Sequence, residues 1–248
     1  MAALLVRHIV GMYSKNLEDC EFQMENKRLK TGILGLDELI EGGFIVPSMI
    51  LIMGPPGSGK TTFLWQYLFE GTRHHEKGML FSTLSESSSS LIQFAAHYWF
   101  IDTTAFGKKI FVVDLNQQMK KFESGEEFLN EIDDKIKKFN VQRVAIDPIN
   151  LIQLAITDVK KYRTFIYEFS KYIKDKNIHA VVTAELHAPS DYHCHEAYIS
   201  DGTILLQTEQ KGRKMQRSLT IVKMRGTYHE LESLEYVITK NGIELKLK

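Results

Sequence analysis

Residues 49–62 read "MILIMGPPGSGKTT": five apolar residues, a turn built from glycine and proline, and the start of a helical pattern. Met49–Met53 predicts a strand covered on both faces, because no polar residue marks a solvent side. The turn matches G-x-x-x-x-G-K-[ST] in full across Gly54, Pro55, Pro56, Gly57, Ser58, Gly59, Lys60 and Thr61. That spacing has a mechanical meaning. Glycines let successive backbone N–H groups turn inward as an anion-binding nest, and the next helix adds the positive end of its dipole. Lys60 then reaches the β and γ phosphates of a nucleotide, and Thr61 offers its hydroxyl to Mg²⁺. Thr62 completes the set of phosphate-side residues.

Working outward, the partner for Mg²⁺ should be an acid at the end of another strand. Asp147 closes the apolar run "RVAID" (143–147) and takes that place. Further strands are expected at 79–83, 110–114, 179–185, 203–207 and 219–224. Helical patterns fall between them, at 61–75, 87–99, 126–139 and 158–175. Alternating strand and helix predicts an α/β domain with a mainly parallel central sheet flanked by helices. The tail "EYVITKNGIELKL" (235–247) carries Asn241-Gly242 between two strand-like runs, which predicts a C-terminal β-hairpin. One domain over 27–248 is the economical reading. Residues 1–26 differ and are expected to be an N-terminal extension. Leu4, Leu5, His8, Ile9 and Met12 would share one helical face there, as a docking helix for a neighbouring subunit would need.

Bulk composition narrows the class. Among 248 residues, 31 basic side chains balance 31 acidic ones. A net charge of zero argues against a dedicated nucleic-acid coat. Two cysteines, Cys20 and Cys194, make no metal-type pair and fit a reducing compartment. The apolar runs fall short of a signal-peptide core or a membrane span. A cytoplasmic protein with no membrane partner is expected.

Other segments carry a more specific resemblance. "TGILGLDELIEGGF" (31–44), the phosphate loop, "FSTLSE", "RVAID", "ISDGTILL" and "KMRGTYH" together resemble the KaiC-like branch of the RecA-type ATPases. The likeness runs from about Lys27 to the C-terminus. It implies a RecA-type P-loop fold, ATP with Mg²⁺, and a ring, often hexameric, with the nucleotide between subunits. It implies that Lys223 and Arg225 act on the neighbour's nucleotide, with Thr227 and His229 near the nucleoside. It places the catalytic carboxylate at Glu86. Ser85 stands where the family often has a second acid, so slow hydrolysis is expected. By the same resemblance Glu185 senses nucleotide state. Pro148 and Asn150 depart from hydroxyl residues common after the metal-binding acid. Ala197 and Tyr198 occupy the places of a phosphorylated Ser-Thr pair, which argues against autokinase chemistry. The expected output is a nucleotide-dependent assembly or signalling switch with an unknown protein partner. A DNA-repair accessory binding single-stranded DNA through residues 187–200 is the alternative.

Two segments invite other chemistry. His187, His193, Cys194 and His195 are soft-ligand candidates, but His193 and His195 lack the usual structural zinc spacing. A mobile polar loop is the preferred reading. Lys211, Arg213, Lys214 and Arg217 form a charge run expected at a solvated hairpin turn. Nucleic-acid contact, with these cations meeting phosphates, is the other reading, and the absence of aromatic interleaving counts against base stacking.

Overall fold

A computed structural model of the chain describes residues 27–83, 87–119, 121–122, 124–186 and 194–247. The strands are β1 (Arg28–Leu29), β2 (Phe44–Ile45), β3 (Ser48–Gly54), β4 (Gly78–Ser82), β5 (Ile110–Asp114), β6 (Arg143–Asp147), β7 (His179–Glu185), β8 (Gly202–Lys211), β9 (Lys214–Met224), β10 (Leu234–Thr239) and β11 (Gly242–Leu245). The helices are α1 (Leu36–Leu39), α2 (Lys60–Arg73), α3 (Ser88–Ala95), α4 (Asn116–Met119), α5 (Gly125–Phe139), α6 (Val159–Asp175) and α7 (His195–Ile199).

Nine strands form one sheet in the order β11-β10-β9-β8-β3-β7-β6-β4-β5. From β8 to β5 every neighbour is parallel. From β8 outward to β11 the strands turn antiparallel. The predicted α/β class, parallel centre and C-terminal hairpin are therefore present. Side-chain alternation explains the continuous apolar runs. On β3, Ile50 and Ile52 join the core that holds Phe63, Leu64, Tyr67 and Leu68 of α2. Met49, Leu51 and Met53 join the opposite core with Phe128 and Ile132 of α5 and Ile166 and Phe169 of α6. Both faces of the strand are thus dry, as in a doubly covered parallel sheet.

Local signals set the helix starts. Ser124 and Glu127 form a reciprocal capping box at α5. Asp158 Oδ1 accepts from the N–H groups of Lys160 and Lys161 at 2.8 and 3.0 Å and starts α6. Ser87 caps α3 as expected, but α3 ends at Ala95 rather than reaching Trp99. Tertiary contacts win there: Trp99 N–H donates to Lys240 O at 2.8 Å, and Tyr98 OH lies 3.0 Å from the Thr62 hydroxyl.

The charged run 209–217 is also corrected. It is paired strand almost throughout, from Glu209↔Gln216 to Lys211↔Lys214, leaving Gly212 and Arg213 as the turn. Backbone pairing with a long antiparallel partner overrides the polar composition of these residues. In the second hairpin, Thr239 pairs with Gly242, so Lys240 and Asn241 are the turn and Gly242 follows at φ 95°. A Cβ at Gly242 would sit 2.3 Å from the Gln66 amide carbon. That amide serves β11 as a further strand would. Its Oε1 accepts from Ile243 N–H at 2.6 Å, and its Nε2 donates to Ile243 O and Gly32 O. No helix among the described residues is long and apolar enough to cross a membrane.

Candidate functional site

The loop of residues 54–59 leaves the C-terminal end of β3 and feeds α2. Gly59 is the last residue before the helix, at φ 97°. A Cβ there would lie 2.7 Å from Ile238 Cδ1 of β10, a side-chain end that can shift, so it is the left-handed conformation that calls for glycine. Gly54, Pro55, Pro56, Gly57 and Ser58 make the turn, and Lys60, Thr61 and Thr62 form the first helical turn. Lys60 Nζ lies across the loop and donates to Gly54 O at 2.8 Å and Pro55 O at 3.1 Å. Burial pulls its ammonium below the usual lysine range, while Asp147 and Glu185 act to hold the charge.

Asp147 ends β6, two strands from β3 in the sheet order, and comes to the loop from there. Thr61 Oγ1 donates to Asp147 Oδ2 at 2.6 Å. Thr183 Oγ1 of β7 donates to Oδ1 in a very short bond. Both carboxylate oxygens are therefore held. Burial pushes the carboxyl above its usual range, against the lowering influence of the two threonines and Lys60. A hydroxyl and a carboxylate oxygen at this separation form a hard, all-oxygen donor pair of the kind Mg²⁺ prefers. Thr83 Oγ1 donates to Pro148 O at 2.7 Å, and Asn150 Oδ1 accepts from Glu185 N–H at 3.2 Å. Asn150 thereby fixes the end of β7. Glu86 lies outside the described residues, as do residues 1–26, His187 and His193. Cys194 is placed, and burial beside Glu196 pushes its thiol up to about 12.

Sequence reasoning missed a third wall of the loop. Arg217 on β9 pairs with Thr208 on β8 and Tyr236 on β10. This row lies against the loop: Tyr236 OH donates to Ser58 O at 2.5 Å, and Arg217 Nη2 reaches Gly57 O at 3.4 Å. Ser58 Oγ, Thr208 Oγ1 and Arg217 Nε are all buried without a hydrogen-bond partner. A cation and unsatisfied polar atoms beside a phosphate-type loop are suited to an anion. One clue was in the sequence. Arg217 alternates with Leu219 and Ile221, whose side chains are buried, so its own side chain shares their inward register.

The remaining candidates lie at the other end of β3. Asp201 Oδ2 accepts from Met49 N–H at 3.0 Å, at the start of that strand. Asp201 Oδ1 pairs with Lys174 at 2.8 Å and with Arg225 at 3.2 Å. Lys223 Nζ donates to the carbonyls of Ala197 (3.0 Å), Tyr198 (3.2 Å) and Ser200 (2.5 Å). Thr227 Oγ1 accepts from Arg28 Nη1 at 3.0 Å, and His229 Nδ1 lies 3.2 Å from Thr227 O. From Met49 to Gly54 the strand spans about 17 Å. Arg225, anchored to Asp201 at the far end of that strand, does not reach the loop.

Comparison with known proteins shows the family. The sequence model of a family described as "ATPase: KaiC" matches residues 29–248. The circadian clock oscillator protein KaiC 1 of Synechocystis sp. is 30% identical over 89% of this chain and 43% of its own length. The circadian clock oscillator protein KaiC of Parasynechococcus marenigrum is 27% identical over 90% of this chain and 45% of its own. The chain thus spans about half the length of the curated relatives it matches. The crystal structure of a KaiC-like protein from the hyperthermophilic archaeon Pyrococcus horikoshii superposes with a TM-score of 0.77 at 31% identity, covering 89% of this chain and 99% of that one.

Proposed function

The chain belongs to the KaiC ATPase family, and from that membership we propose that it binds ATP with Mg²⁺ between subunits of a ring and hydrolyses it slowly. The reading is carried by one observation: the phosphate loop and the Lys223–Arg225 cations sit at opposite ends of β3. A subunit so built holds two halves of two different sites. Cyclic assembly joins each loop to the cations of the next subunit.

Within this proposal the amides of residues 54–60, Lys60 and Arg217 bind the phosphates, with Thr62 on the α-phosphate side. Thr61 and Asp147 hold Mg²⁺, which when bound offsets charge on the β and γ oxygens. Thr183 keeps the Asp147 carboxylate turned toward Thr61. Glu86 orients the attacking water. Arg225 and Lys223 arrive from the neighbour and stabilise the charge that spreads over the transferred group. Thr227 and His229 line the nucleoside side of the same interface. A single carboxylate at the water position supports a slow turnover, and hence a switch in assembly or partner binding. Glu185, whose backbone N–H donates to Asn150 Oδ1 at 3.2 Å and whose charge acts on Lys60, would respond to bound phosphate.

The test is molar mass by light scattering with and without ATP·Mg²⁺, paired with phosphate release. A ring of several subunits formed with nucleotide is the expected result. A protein that turns over ATP as a monomer refutes the shared site.

A further inference from the structure

Lys223 is committed within its own subunit. Its three ammonium bonds go to Ala197 O, Tyr198 O and Ser200 O, the carbonyl end of α7. A lysine ammonium has three donors and no acceptor, so these carbonyls use all of them. They belong to the C-terminal end of a helix, where a cation is favoured by the dipole and by unpaired C=O groups. α7 has five residues, and its end is also held by Ser200 Oγ, which donates to Ala197 O at 3.1 Å. Its own ladder includes Tyr198 N–H to Cys194 O at 3.3 Å and Ser200 N–H to Glu196 O at 2.9 Å.

The neighbouring cation is held differently. Arg225 bonds one oxygen of Asp201, a carboxylate it shares with Lys174. If Arg225 swings outward, Lys174 keeps that carboxylate paired. If Lys223 swings outward, Ser200 Oγ still donates to Ala197 O at 3.1 Å, but among the described residues no other side chain bonds the carbonyls of Tyr198 and Ser200. Lys223 sits at an irregularity: Thr203 pairs with Lys223 but Ile204 with Ile221, so Val222 is an extra residue in β9. A bulge re-aims the side chains beside it.

We propose that Lys223 is a two-position switch: it caps α7 in a free subunit and leaves that cap when it binds phosphate on the neighbouring subunit. The inference rests on the shared-site reading above and adds its regulation. A phosphate oxygen takes at least one donor from the three carbonyls. Nucleotide held by one subunit then loosens the α7 end of the next. The signal leaves the site through residues 195–200 and needs no change in the sheet.

Hydrogen exchange of the peptide covering residues 195–201 tests this, measured on the full chain with and without ATP·Mg²⁺ while mass is followed by light scattering. On assembly, exchange there should rise about two- to fivefold, the change expected when a helix end loses a cation. The Lys223→Met variant should show the raised exchange without nucleotide and no further rise with it. Core amides of β3 and β7 report whether that variant is folded. The wild-type arm decides the matter without it. A ring that forms with unchanged or slower exchange at 195–201 overturns the switch and leaves the shared site standing. A folded Lys223→Met with wild-type protection also overturns it. Absence of nucleotide-dependent assembly overturns the shared site and the switch together.

Discussion

The two ends of β3 are built on opposite rules. At Gly54, polar groups are buried and held from several sides: Lys60 by loop carbonyls, Asp147 by Thr61 and Thr183, Ser58 O by Tyr236. At Met49, the cations are more open and share partners: Arg225 and Lys174 on one carboxylate, Lys223 on three carbonyls. A preorganised pocket suits binding, because its groups do not have to be ordered when the ligand arrives. Arg225 suits delivery, because the carboxylate it would leave stays paired with Lys174. In the proposed ring, the first half receives nucleotide and the second is lent to a neighbour.

The sharpest way to break this contrast is to disable one end at a time. Arg225→Ala should lower kcat about a thousandfold, the scale of a lost arginine finger, measured by phosphate release. Lys60→Ala should lower it by at least about a hundredfold and weaken nucleotide binding. An equal mixture of the two variants should recover about a quarter of wild-type activity, since about a quarter of all interfaces in randomly mixed rings pair two intact halves. Mixtures as inactive as their parents would mean that both ends serve the same subunit.

A second test concerns how the Gly54 end is prewired. Gln66→Ala removes the amide that bridges α2, Ile243 and Gly32 and strands the buried Ile243 N–H. Stability should fall by about 2–3 kcal/mol, seen as a melting point lower by roughly 4–10 °C without nucleotide. An unchanged melting point would show that the loop helix does not depend on the C-terminal hairpin.

The smallest expected effect has a pH signature. Burial raises the Asp147 carboxyl above its unfolded value, so the folded state keeps the proton to higher pH. Stability from this group falls as pH rises from the ordinary carboxylate range through the raised value. Asp147→Asn removes that slope. Without nucleotide it should melt higher than wild type at neutral pH, with the difference closing in acid. Thermal melts from pH 4 to 8 check this. A gap that widens in acid would mean the carboxylate is stabilised as an anion.

Much of this was legible in the chain itself, for local reasons. A phosphate loop is contiguous, so Gly54–Thr61 declares itself, and Asp147 follows from an apolar strand ending in an acid. Ser124 and Asp158 mark helix starts because capping is a contact between near neighbours. The charged run 209–217 does hold an exposed hairpin turn, at Gly212 and Arg213, but the strands run further into it than composition shows, because backbone pairing across a hairpin is invisible to composition. Arg217 was hidden for the same reason: only its register opposite Tyr236 and Thr208 brings it to Gly57.

By itself, then, the sequence determined the α/β class, the phosphate loop and the acid that faces it, since each rests on periodicity or on adjacency along the chain. Tertiary structure decided which residues meet across the chain: Thr183 on Asp147, Gln66 on β11, Arg217 beside the loop, Lys223 on α7. It also decided that Arg225 lies at the far end of β3 from Lys60. Such facts depend on strand order and register, and these are set by the packing of the whole sheet.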